Sequence, residues 1–203
     1  MNNFYCHTLN YNIEDRINEI NSSIYEFIEE HAPQKVNIID PYFNVEIIQN
    51  FLNDFNPNKS PEVVDGWTFL FNELLQIDSI EEINIITNKI FRTYMIKNSI
   101  LLNLKQNCNG YSFLCKDKII NFIYYANPGN NEENNKNNFV PDLHDRLILL
   151  CNSMDIQGLH IGCSLNNLFG KDLTITIFNS NGAEKASKRY DELLKFSKER
   201  VKW

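Results

Sequence analysis

The chain of 203 residues predicts an α/β fold with a mixed central β-sheet flanked by helices. Three observations carry that expectation. Short β-branched runs, Val36-Asn37-Ile38-Ile39 and Ile83-Asn84-Ile85-Ile86-Thr87, are separated by stretches of helical spacing, the pattern of β-α-β units. Helical patterns crowd the first half and strand-like runs the second, so parallel and antiparallel pairs share one sheet. An apolar share of 43% over this length supplies one well-buried core, and 1–203 reads as a single domain.

The elements follow in order. Ile13, Ile17, Ile20, Ile24, Phe27 and Ile28 recur at helical spacing, with acids in the first turn and Pro33 as the stop. Residues 1–34 are thus read as an N-terminal helical extension. Val36 to Ile39 is a buried strand ended by Asp40-Pro41. A helix from about 45 to 52 is broken by Asn56-Pro57-Asn58. Ser60-Pro61-Glu62 supplies a cap and a first-turn proline for a helix to about Gln76. Ile83 to Thr87 is a strand, and 88–106 a long amphipathic helix closed by Asn109-Gly110. Tyr111 to Cys115 and Ile119 to Tyr125 are strands around a Lys116-Asp117-Lys118 turn. Residues 126–140 predict a mobile loop, since 127–138 hold seven asparagines and Pro128-Gly129. Leu147–Cys151, Leu159–Cys163 and Leu173–Phe178 read as strands, and Ala183 to about Lys198 as a terminal helix.

Composition narrows the function classes. Nineteen Lys plus Arg against 26 Asp plus Glu leave a net charge of -7, which argues against a whole-surface nucleic-acid binder but permits a locally basic pocket. No apolar run reaches the roughly 18–20 residues of a membrane span, and Glu14, Asp15 and Glu19 stand where a signal peptide would be basic and apolar. No membrane association is expected. Five cysteines, an odd number without a CxxC pair, fit reduced thiols rather than a disulfide or zinc scaffold. Cys115, Cys151 and Cys163 lie in apolar runs and are expected to be buried. The compartment implied is a reducing cytoplasm. Asparagine is the most unusual residue, 32 of 203 beside 25 Ile and only 7 Gly, and reads as compositional bias.

Three patches hold polar groups that a plain sheet does not need. Asp40-Pro41-Tyr42-Phe43 follows the first buried strand, and ligands in open α/β sheets collect beyond carboxyl ends of strands. Asp40 there either binds a ligand or caps the next turn. In Leu143-His144-Asp145-Arg146-Leu147, His144 and Arg146 are two apart at the opening of a strand and share a face. The pair suits a phosphate, with bidentate guanidinium donors and an imidazole for nucleophilic or acid–base work. The alternative is a polar cluster at the strand opening. In Gly158-Leu159-His160-Ile161-Gly162-Cys163-Ser164-Leu165-Asn166, followed by Gly170-Lys171, Ser164 and Asn166 share a face if the strand continues. They hold a phosphate oxygen, orient His144 from behind, or form a turn. His160, four before Ser164, could share that face.

Together the second and third patches, His-x-Arg and then Gly-x-Ser-x-Asn within about twenty residues, resemble the phospholipase D superfamily. The likeness covers about 35–180 and is specific only in 144–172. It implies a phospholipase D-like sheet and a phosphodiesterase, foremost a metal-independent nuclease that needs no cofactor. By position, His144 would form a phosphohistidine, Arg146 would stand where the family has Lys, and Ser164 and Asn166 would complete the phosphate site. Asp40, Lys171 and His160 would line the substrate, with specificity in 126–140 and in Tyr42-Phe43. Arg146 replaces Lys, Cys151 stands where the family has Asp, Cys163 separates Gly162 from Ser164, and the motif occurs once. A single motif implies a homodimer in which two His144 residues face each other. The nucleic-acid substrate and a protein partner in phage or mobile-element defence come from the same resemblance. The competing expectation is a degenerate module that only binds nucleic acid, nucleotide or protein.

Overall fold

The computed structural model describes residues 3–6, 21–43, 66–87, 118–124, 146–162, 173–196 and 199–202. In chain order they form β1 (Asn3–Cys6), a π-helical turn (Asn21–Tyr25) leading into α1 (Glu26–His31), β2 (Lys35–Ile39), α2 (Gly66–Gln76) and β3 (Glu82–Thr87). Then come β4 (Ile119–Tyr124), β5 (Leu147–Cys151), β6 (Ile156–Ile161), β7 (Leu173–Ile177), α3 (Ser180–Phe196) and β8 (Glu199–Lys202). The strands make one eight-stranded sheet in the order β1-β7-β6-β5-β2-β3-β4-β8. β2, β3 and β4 run parallel, and every other neighbouring pair is antiparallel. The architecture is α/β with a mixed open sheet, as the order of strand and helix patterns predicts.

The central strands are buried on both faces, which explains their near-continuous apolar runs. On one face Ile39, Ile86, Ile123, Leu147 and Leu149 pack against Ala186, Tyr190 and Leu193 of α3. Ala183, Ala186, Tyr190 and Leu193 recur at steps of three and four and form the buried stripe of that helix. Burying a leucine such as Leu193 contributes about 1.5–3 kcal/mol. Val36, Ile38, Ile83, Ile85, Ile148 and Leu159 alternate to the other face and are equally closed to water. The π-helical turn and α1 bury Ile24 and Ile28, and α2 buries Leu70, Phe71 and Leu74; none of these joins the α3 cluster. No helix among the described residues is long and apolar enough to cross a membrane.

Three asparagines tie the parallel strands together inside this core. Asn121 Nδ2 donates to Asn84 Oδ1 at 2.8 Å and Asn84 Nδ2 to Asn37 Oδ1 at 2.9 Å. Asn37 Nδ2 donates to the Cys151 sulfur at 3.4 Å, and Asn121 Nδ2 also to Glu82 Oε1 at 3.0 Å. All three side chains are at most 5% exposed. Lys35 pairs with Glu82 at 3.5 Å beside them. For these positions the asparagine excess is structure as well as bias.

Several boundaries differ from the sequence reading. β6 starts at Ile156 rather than Leu159, because Asn152 Oδ1 accepts the N–H groups of Met154 and Asp155 and turns the chain at once. Its interior glycine, Gly158, has a reason: a Cβ there would lie 3.0 Å from Leu149 Cδ2 and Phe178 Cδ2. α3 starts at Ser180 rather than Ala183, because Asn179 Oδ1 accepts the Gly182 N–H at 2.9 Å as a cap. β1 and β8 are unexpected; each is four residues long and pairs on one side only, so it carries little pattern. The expected helices at 45–52 and 88–106, the strand at 111–115 and the loop at 126–140 lie outside the described residues.

Candidate functional site

At the carboxyl ends of β2 and β3, β5 begins and β6 ends, and the ladders run one step past the strands. Asp40 N–H donates to Ile86 O at 3.1 Å, and Ile161 N–H to Arg146 O at 3.0 Å. Gly162 N–H donates to Thr174 O at 2.8 Å. The registers therefore set Thr87, Asp40 and Arg146 side by side on the sheet face opposite α3. Thr87 and Asp40 are wholly buried, and Arg146 is half-buried.

Asp40 builds a tight turn. Its Oδ1 accepts the Tyr42 N–H at 2.8 Å, and its carbonyl accepts the Phe43 N–H at 3.2 Å. Phe43 is wholly buried and its carbonyl accepts the Thr87 hydroxyl at 3.3 Å. The turn is pinned at both ends, and the Asp40 carboxylate caps it, one of the two roles its position allowed. Between the buried Asp40 and Phe43, Tyr42 faces outward at 37% exposure.

The Arg146 guanidinium carbon lies 5.2 Å from the centroid of the Tyr42 ring, a cation–π contact. Arg146 Nε is buried and has no hydrogen-bond partner among the described residues. A buried N–H of a charged group without an acceptor is destabilising, so this donor is suited to an anion brought by a ligand.

The other residues singled out in the sequence divide. His160 pairs with Leu147 on one side and Thr176 on the other. Leu147 packs on α3, so His160 is on the α3 face and Arg146 on the opposite one. Cys151 lies five residues along β5 from Arg146, about 16 Å at strand rise. Burial pushes its thiol up, and the smaller opposing effects are the Lys35 charge and the Asn37 hydrogen bond. His144, Ser164, Asn166 and Lys171 lie outside the described residues, as do Cys115 and Cys163. In sequence His144 stands two residues before Arg146, and Ser164 three after Ile161. Among the described residues, no group of three or more His, Cys, Asp or Glu could hold a metal ion.

Thr87 carries no mark in the sequence beyond ending an apolar run. The asparagine ladder does have one: Val36-Asn37-Ile38-Ile39, Ile83-Asn84-Ile85-Ile86 and Ile120-Asn121-Phe122-Ile123 each place an amide second in an otherwise apolar strand. No known family model matches the chain, and no curated protein matches it.

Proposed function

We propose that the chain is a phosphodiesterase of the phospholipase D-like type, a metal-independent nuclease that acts through a phosphohistidine on His144. The observation that carries this reading is the buried Nε of Arg146, without a partner among the described residues, at the carboxyl ends of the parallel strands. A cation there neutralises phosphate oxygens and so lowers the barrier to attack by a nucleophile attached two residues upstream. His144 attacks phosphorus and the P–O bond to the leaving group breaks. The leaving oxygen takes its proton from a second imidazole, His144 of the partner subunit in a two-fold dimer. Water, giving its proton to that second imidazole, then attacks phosphorus, breaks the P–N bond and regenerates both histidines. Ser164 and Asn166 hold phosphate oxygens, and Lys171 adds charge to the substrate side. The test is a panel of DNA, RNA and small phosphodiesters. His144→Ala is expected to bring cleavage to background, and unchanged cleavage would overturn the mechanism.

A second reading, a module that binds phosphate esters without turning them over, is favoured by one observation. Cys151 stands where the resemblance has an acid, and its sulfur is held in the asparagine ladder. Mass spectrometry on protein quenched with a slow substrate separates the two readings: a phosphohistidine on His144 supports catalysis, and substrate binding without it supports the module.

A further inference from the structure

We propose that Tyr42 is the positioning residue for Arg146, holding the guanidinium so that its N–H edge faces an incoming oxyanion. The inference rests on the phosphoester reading above and adds how the cation is aimed. Three hydrogen bonds fix the 40–43 turn without using the ring of Tyr42: Tyr42 N–H to Asp40 Oδ1, Phe43 N–H to Asp40 O, and Thr87 Oγ1–H to Phe43 O. The turn thus carries the ring on a backbone that these three bonds fix. Tyr42 stays 37% exposed while Asp40 and Phe43 are wholly buried, so core packing is not what places it.

The ring meets Arg146, with the guanidinium carbon 5.2 Å from its centroid. A cation–π contact engages the guanidinium through its charge, and the two-donor edge of a guanidinium matches the spacing of two oxyanion oxygens. Nε, the donor nearest the backbone, is buried and lacks an acceptor among the described residues. This arrangement also gives a reason for arginine where the resemblance has lysine. An ammonium offers neither a flat face for the ring nor a two-donor edge, so arginine and the tyrosine belong together.

The test uses the full chain, with inorganic phosphate as the probe in calorimetry and the Arg146 Nε–Hε resonance as a second readout. Tyr42→Leu is expected to weaken phosphate binding about three- to thirtyfold. It should also shift the Arg146 resonance, because the ring current disappears. Tyr42→Phe keeps the ring and is expected to restore both readouts, which a loss through altered folding would not allow. If Arg146→Ala abolishes binding while Tyr42→Leu binds like wild type, the positioning role is overturned and the phosphate reading stands. Equal losses in Tyr42→Leu and Tyr42→Phe overturn it too, since the hydroxyl would then be the active part. If wild type does not bind phosphate, or Arg146→Ala binds as well as wild type, the phosphoester reading fails. The resonance still decides the contact: no shift in Tyr42→Leu overturns the positioning role by itself.

Discussion

Two polar rows cross the same sheet and end differently. The lower row, Asn121, Asn84 and Asn37, is neutral, and each amide donates to the next until the last reaches Cys151. The upper row, Thr87, Asp40 and Arg146, uses its first two members to pin a turn and leaves a charged donor without an acceptor among the described residues. The lower row has a loose end as well, Asn121 Oδ1, but this is a neutral carbonyl oxygen. Buried polar groups in folded proteins are overwhelmingly paired, so the kind of group left over is informative. An amide chain in which each member donates to the next holds strands in register: a slip by one residue would turn an asparagine to the other face. A guanidinium with a free buried N–H fits an anion.

The largest expected effect falls on the upper row. Arg146→Ala should lower phosphodiester turnover about 100-fold or more, the usual scale for removing a donor to developing charge. Melting temperature should stay level or rise, because the change deletes a buried donor without a partner. Cleavage kinetics alongside a thermal melt check this. A large drop in melting temperature would make Arg146 a structural residue like the asparagines and erase the contrast.

The lower row should behave in the opposite sense. Asn84→Ala leaves Asn37 Oδ1 without its donor and one Asn121 N–H without its acceptor, and opens a small cavity. The expected loss is about 2–4 kcal/mol of stability, with turnover per folded molecule unchanged. Chemical denaturation and an active-site titration measure the two sides. A double-mutant cycle between Asn37 and Asn84 should show non-additivity of about 1 kcal/mol; additive losses would mean that the ladder is a row of separate contacts.

How much of this could be read beforehand depends on what each row needed. β2, β3 and β5 are legible because strands buried on both faces are apolar at nearly every position, as Leu147 to Leu150 are and as Ile83 to Ile86 are but for Asn84. The Asp40 cap was legible from turn chemistry, and Arg146 from its place at the opening of a strand. The ladder was hidden because an amide in a strand signals nothing until the register brings Asn37, Asn84 and Asn121 together. β1 and β8 were hidden because a strand paired on one side needs no alternation. The Tyr42–Arg146 contact joins residues about 100 apart in the chain, and only the antiparallel pairing of β2 with β5 brings them together.

A smaller effect is expected between the rows. Asp40→Ala removes the acceptor for the Tyr42 N–H and should cost about 1–3 kcal/mol. Asp40→Asn keeps a side-chain oxygen that caps the same turn and should stay close to wild type in stability. If Asp40→Asn falls as far as Asp40→Ala, the charge and not the cap is what matters at that position. The upper row would then be electrostatic throughout, and Asp40 would belong with Arg146 rather than with the turn.

The smallest effect lies at the end of the ladder and is visible only in alkali. Burial raises the Cys151 thiol above its ordinary value, with the Lys35 charge and the Asn37 N–H opposing, and the Asp191 charge adding slightly. For an acid raised by folding, the folded state favours the protonated form. Its contribution to stability is therefore complete below the unfolded thiol pKa and is lost as pH rises through the folded one. Denaturation of wild type and Cys151→Ala at about pH 7 and about pH 10, on either side of the ordinary thiol range, isolates the term, since tyrosines and the other cysteines titrate in both. Wild type should lose more stability between the two pH values than the variant does. Asn37→Ala should steepen the wild-type loss, because the N–H that favours the thiolate is gone. A wild-type curve no steeper than that of Cys151→Ala would mean that the sulfur is as well solvated folded as unfolded, and that the ladder ends at water instead of in the core.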